Sequence, residues 1–181
     1  MWLPSALKNW MFKRQLKKLL KSKVTPRHSI SLEKAAQIGI LFDATEPGNY
    51  VVVHNLEKKM QELGKKTMVL GYFHFKFVEG NPGHPYFCKK DLNWYGRPAD
   101  IYQVRDFMDA SFDILMNIFS EPLPPLEYIS ALSNARFRIG AHIPGYEHCN
   151  EVMIALEGTK GLQELAEQIF YYAKMIQTHD N

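Results

Sequence analysis

The sequence offers neither a Gly-x-Gly-x-x-Gly turn nor a Gly-x-x-x-x-Gly-Lys loop, so no motif in it indicates a dinucleotide, a nucleoside triphosphate or any other cofactor. The Gly-x-Ser-x-Gly elbow of a serine hydrolase is missing too. Cysteine is scarce: Cys88 and Cys149 form no Cys-x-x-Cys pair and are too few for a disulfide framework, which makes a reducing cytoplasm the expected compartment. No apolar run approaches the roughly 18 residues that a membrane span requires. A secretory leader is not expected, because the first residues hold no uninterrupted apolar stretch with a small-residue cleavage site behind it. Internal repeats and low-complexity tracts are absent. The last shortage is of one sign of charge: residues 1–30 contain no aspartate or glutamate.

What is present suits a folded domain. A length of 181 residues, 46% of them apolar and 13% aromatic, is enough to bury a real core. The net charge of +3 hides a split. Eight of the 22 basic side chains (Lys8, Lys13, Arg14, Lys17, Lys18, Lys21, Lys23, Arg27) fall in residues 1–30, so fourteen basic groups face nineteen acidic ones in the rest. The chain therefore reads as a basic amphipathic helical arm over 1–30 and a single α/β domain over 31–181.

Residues 4–23 read as helix, with Pro4 near the start and many Lys, Leu and Gln. Leu3, Leu7, Trp10 and Met11 cluster on one side, and Phe12, Leu16, Leu19 and Leu20 on nearly the opposite one, which predicts either contact from two sides or a bend near 10–12. Lys13, Arg14, Lys17, Lys18 and Lys21 face away from the second stripe. Three readings are open for this face. It is a solvated surface over a packed stripe, a docking face for an anionic membrane inside the cell, or a contact for RNA or DNA backbone.

The order of elements sets the fold class. Strands are predicted at 36–42, 67–77, 86–88 (hairpinned to 93–95), 112–118, 137–141 and 152–156, and helices at 49–63, 101–108, 125–134 and 160–176. Asn49 and Ser120 are the expected helix caps, and Gly64 the stop after the first of these helices. The stretch 112–140 is the centre of the scheme: a strand covered on both faces, a proline-marked turn at Pro122, Pro124 and Pro125, a short helix and a second strand. So short a strand, helix and strand leaves room only for a parallel crossover. The prediction is a doubly wound, mostly parallel sheet of five or six strands in an order such as 3-2-1-4-5, with helices on both faces plus the N-terminal basic helix.

The 112–140 stretch, with KKDLNWYG at 89–96 and IGILFD at 38–43, resembles a family of small uncharacterised Bacteroidetes proteins carrying a domain of unknown function. That resemblance covers nearly the whole chain and implies no activity. The same stretch is more weakly similar to one βαβ unit of the N-terminal Rossmann-like domain of heptosyltransferase-type glycosyltransferases, through Ala135-x-x-Arg138-Ile139-Gly140. About thirty residues carry this likeness, which implies fold and not function. The chain has no room for the second domain that holds the sugar nucleotide in those enzymes, so a complete transferase is not expected.

Ligands of doubly wound sheets bind at the carboxyl ends of the strands, where the winding reverses. The residues expected to converge there are Asp43, Glu46, Asn117 and Glu121, with His142 beyond them. Oxygen ligands of this kind hold a divalent cation or sugar hydroxyls, and a histidine works as acid or base near neutral pH. The same residue types are ordinary turn and capping residues. His84, Cys88, His148 and Cys149 offer four zinc ligands, but adjacent His148 and Cys149 cannot easily face one metal, and no metal site is expected from them. Tyr86, Phe87, Trp94 and Tyr95 beside Lys89, Lys90 and Arg97 suit stacking on bases or sugars, packing of a loop, or the covered edge of a homodimer. Without a complete catalytic motif, and with charge divided so sharply, the chain reads as a binding or interaction module using its basic helix. The alternative is a small enzyme or ligand-binding domain using the crevice.

Overall fold

A computed structural model describes residues 4–23, 25–78, 80–156 and 161–176. Six strands form one sheet: β1 (Gln37–Asp43), β2 (Lys66–Phe73), β3 (Tyr86–Cys88), β4 (Ile114–Ile118), β5 (Phe137–Ala141) and β6 (Val152–Ile154). Their order is β3-β2-β1-β4-β5-β6 and every pairing is parallel. Five α-helices accompany them: α1 (Ser5–Ser22), α2 (Pro47–Glu62), α3 (Tyr102–Asp109), α4 (Pro124–Leu132) and α5 (Leu162–Met175). Helices α2 and α5 cover one face of the sheet, α3 and α4 the other, and α1 lies on the outside of α4. This is the expected doubly wound α/β fold: β4 and β5 are parallel as the crossover argument requires, and β1 and β4 are parallel neighbours as in the predicted strand order.

Strands β4 and β5 are buried along their whole length, which is why their sequences run apolar without alternation. Pairing at this density brings backbones close. A Cβ on Gly39 would lie 2.7 Å from the Phe112 ring, and one on Gly140 would lie 2.8 Å from Asn117 Cβ. Only glycine fits at these two places.

Several predicted boundaries move, for physical reasons. Strand β2 stops at Phe73 and not at residue 77, because β1 ends at Asp43, opposite Tyr72, and β3 ends at Cys88, opposite Phe73. The chain bends instead, and Phe75 and Phe77 are exposed. No hairpin joins 86–88 to 93–95. The Asp91 carboxylate accepts the Cys88 amide at 2.9 Å and turns the chain at once, while Asn93 Oδ1 accepts the amides of Tyr95 and Arg97 to close a separate turn. Neither Asn49 nor Ser120 caps a helix. α2 begins at Pro47 and α4 at Pro124, each with proline in the first turn where a missing N–H costs nothing, and Asn49 reaches back to the Asp43 carbonyl. Gly64 does end α2, at φ +72. The predicted start of the closing helix at Lys160, and Leu3 of the arm, lie outside the described residues.

Helix α1 is uninterrupted and, among the described residues, packs on the body along one side. Phe12 and Leu16 are buried, Leu19 and Leu20 are half-buried, and Leu7 and Trp10 stay exposed, so neither two-sided contact nor a bend is needed. Beyond it, Lys23 donates to the carbonyl of Leu132, and Arg27 to those of Ala135 and, at 3.0 Å, Ser133. These carbonyls close the C-terminal end of α4, the negative pole of that helix, and two of the eight basic groups of the arm serve as its cap. Burial, followed by the nearby Arg138 charge, lowers the Arg27 guanidinium to about 10. No described helix is long and apolar enough to cross a membrane.

Candidate functional site

The five residues expected along the rim do not form one cluster. Asp43 ends β1, where its Oδ1 accepts the Thr45 amide at 3.0 Å in a tight turn. Glu46, Glu121 and His142 are exposed. Asn117 is fully buried. Its Nδ2 donates to Ser130 Oγ at 2.8 Å and to Asn150 Oδ1 at 2.7 Å, and the Ser130 hydroxyl donates in turn to the Cys149 carbonyl at 3.0 Å. These bonds tie β4 to α4 and to the segment before β6. Among the described residues, no hydrogen bond or ion pair joins any of the five to another.

Arg138 completes the buried polar layer. Its guanidinium holds Glu151 through two bonds, Nη2 to Oε1 at 2.6 Å and Nε to Oε2 at 3.1 Å, its backbone amide adds a third to Oε2 at 2.8 Å, and Nη1 donates to the Ser130 carbonyl at 3.1 Å. His148 Nε2 lies 3.0 Å from Glu127 Oε1. Burial pushes the Cys149 thiol up to about 12, and Glu127 adds to the effect.

The four candidate zinc ligands are separated. Cys88 belongs to β3 and Cys149 precedes β6, at opposite edges of the sheet, and both are buried free thiols. His84, however, joins a set that no spacing rule picks out. The loop before β3 carries it to α2, where its Nε2 lies 2.9 Å from Glu57 Oε2. His54, one turn earlier on α2, completes the group: one ligand atom from each of His54, Glu57 and His84 falls within 4.8 Å of the other two. A cavity of about 780 Å³ opens over them, with Tyr50, Val51, Met68 and Val69 among its walls. The local signal in the sequence is His54-x-x-Glu57, which puts both side chains on one helix face.

The other exposed chemistry is on α1. Lys13, Arg14, Lys17, Lys18 and Lys21 are all exposed and make no ion pair among the described residues. The Arg14 guanidinium lies over the Trp10 ring at 5.1 Å. Arg14, Lys17, Lys18 and Lys21 rim a shallow hollow of about 510 Å³. Within the aromatic cluster Phe87 is buried, Tyr86 and Tyr95 are half-buried and Trp94 is exposed, while Arg97 stacks on Tyr128 at 5.5 Å.

No match to a curated protein is found. Among solved structures the fold is similar to that of the E. coli heptosyltransferase WaaC with ADP, at a TM-score of 0.51 and 8% identity, over 80% of this chain and 49% of that one. This chain thus spans about half the length of that structure, and at such identity the likeness concerns the fold alone. A family profile matches residues 8–176, and by that match the chain belongs to the family of unknown function DUF6913.

Proposed function

We propose that the protein is an interaction module that docks on an anionic membrane surface, at the cytoplasmic face, through the outward side of α1. One observation carries the reading: the apolar stripe of α1 is committed to the body, while five cations face outward with no acid on the helix to balance them. A helix that only needs solvation mixes signs. Here Lys13 with Lys17, Arg14 with Lys18, and Lys17 with Lys21 set like charges four residues apart, which destabilises a helix by about 0.2–0.5 kcal/mol per pair. An anionic partner removes that cost.

A membrane suits the surface better than a nucleic acid does, because Leu7 and Trp10 stand exposed at the start of the same helix. Basic residues with an exposed tryptophan are the makeup of an interfacial contact. Phe12 and Leu16 are occupied, so α1 lies against the headgroups and does not sink between them. At about 1 kcal/mol for each of the five cations, attraction reaches about 5 kcal/mol, a reversible, sub-millimolar association. The two buried, unpaired cysteines accord with a reducing compartment.

The test compares the intact protein with a variant carrying Gln at Lys13, Arg14, Lys17, Lys18 and Lys21. Both are sedimented with phosphatidylserine-containing vesicles, with neutral vesicles and with RNA at two salt concentrations. Charge substitution is preferred to deleting the arm, because deletion would uncover the core under Phe12 and Leu16. Binding by the intact form to anionic vesicles alone, lost in the variant and weakened by salt, supports the reading. Equal binding by both forms, or binding to RNA without binding to vesicles, overturns it.

A further inference from the structure

We propose that His54, Glu57 and His84 form a Zn²⁺ site whose fourth coordination position opens into the cavity between α2, β2 and the loop before β3. Two imidazoles and one carboxylate are a ligand set suited to this borderline-soft ion, and three protein ligands leave one place for water or another oxygen donor. Bond lengths of about 2.0–2.2 Å at a tetrahedral centre place ligand atoms about 3.4 Å apart. The three candidate atoms already lie within 4.8 Å of one another, and Glu57 and His84 stand at 2.9 Å, so metal entry asks that pair to open by about half an ångström. His54 is exposed and free to turn inward for the remainder.

The surroundings hold the two inner ligands in place. Thr67 Oγ donates to Glu57 Oε1 at 3.0 Å, which fixes the carboxylate and leaves Oε2 for the metal. The His84 ring is stacked on Tyr50, with centroids 5.9 Å apart, and meets Phe42 edge-on. Its loop is pinned at both ends of the turn, by the Gly71 amide on the Pro85 carbonyl at 3.0 Å and the Gly83 amide on Asn81 Oδ1 at 3.1 Å.

A second observation separates this group from a mere tie between loop and helix. Among the described residues, Tyr50 Oη and His84 Nδ1 are buried in the same wall without a hydrogen-bond partner, two polar atoms left for a molecule in the cavity to satisfy. Strand β3 pairs only with Gly71–Phe73, so among the described residues the outer edge of β2 from Lys66 to Leu70 has no strand beside it, and the cavity lies against Thr67, Met68 and Val69 there. Its volume lies within the range of small-ligand pockets.

The experiment uses the full chain without an affinity tag, stripped with chelator and titrated with Zn²⁺ by calorimetry, and with Co²⁺ as a visible reporter of coordination number. We expect one equivalent of Zn²⁺, a four-coordinate Co²⁺ spectrum, and binding at least about tenfold weaker in His54→Ala, whose exposed position leaves the fold and the metal-free melting temperature unchanged. His84→Ala should lose the spectrum altogether. If that variant does not fold, His54→Ala and the Co²⁺ spectrum still decide. Less than about a tenth of an equivalent bound by the intact protein overturns the proposal, as does undiminished affinity in His54→Ala or six-coordinate Co²⁺.

Discussion

Phe12 and Tyr128 pack ring against ring, with centroids 6.5 Å apart and planes tilted by 57°, and this contact decides which side of α1 meets solvent. Tyr128 belongs to α4, whose residues from Pro125 to Leu132 are all buried because α1, α3 and the sheet surround it. The basic face is therefore held outward by core packing.

Phe12→Ala should lower stability by about 3–5 kcal/mol, the cost of an emptied aromatic site. Equilibrium urea unfolding measures it. A loss below about 1 kcal/mol would mean that α1 is not part of the cooperative unit.

Glu151→Ala should cost more than Arg138→Met. Removing the carboxylate leaves a guanidinium with only 7% of its side chain exposed and no counter-charge, whereas methionine replaces the cation with an apolar chain of similar length. Because Glu151 is 25% exposed, we expect about 2–3 kcal/mol for its loss, below the range for fully buried pairs. The opposite ranking in urea midpoints would contradict the assigned role of this pair.

Stability should fall on the alkaline side. Burial raises the Cys149 thiol to about 12, and burial with the Asp43 charge raises the Tyr72 hydroxyl to about 12. The folded state thus keeps protons that the unfolded chain releases from about pH 9 upward, so this stability is complete below pH 9 and lost as pH rises toward 12. A series of melting temperatures should be flat in this respect up to pH 9 and decline above it, less steeply in Cys149→Ala. The same burial predicts that neither thiol reacts with Ellman's reagent at pH 8 until the protein is unfolded. Immediate reaction of the native protein would contradict it.

Gly39→Ala and Gly140→Ala should each destabilise by about 1–3 kcal/mol, since the added methyl meets the buried Phe112 ring in one case and Asn117 with Asn150 in the other. Gly48→Ala, in the first turn of α2 where the added methyl meets nothing among the described residues, is the control. Equal melting temperatures for all three would show that the strands are not packed this closely.

The sequence made the centre of the fold legible because Ile114–Ile118 and Phe137–Ala141 are covered on both sides and separated by too little chain for anything but a parallel crossover. The same coverage hid the role of Asn117. In a strand buried on both faces no alternation tells which way a residue points, and an asparagine near the carboxyl end reads as a rim residue until Ser130 and Asn150 are placed against it. Lys23 and Arg27 looked like the rest of the basic arm, and only the position of α4 distinguishes them. The sequence sets His84 among four candidate zinc ligands with Cys88, His148 and Cys149, whereas its neighbours His54 and Glu57 come from a helix before β2, brought to it by the fold alone.

The most direct test of the α1 surface uses Trp10 as the only tryptophan, with Trp2 and Trp94 replaced by Phe, and follows its emission as vesicles are added. Anionic vesicles should shift it to shorter wavelength and shield it from an aqueous quencher, neutral vesicles should do neither, and the Gln variant of the five cations should lose the response. An emission unchanged by anionic vesicles would contradict the proposed docking of this face.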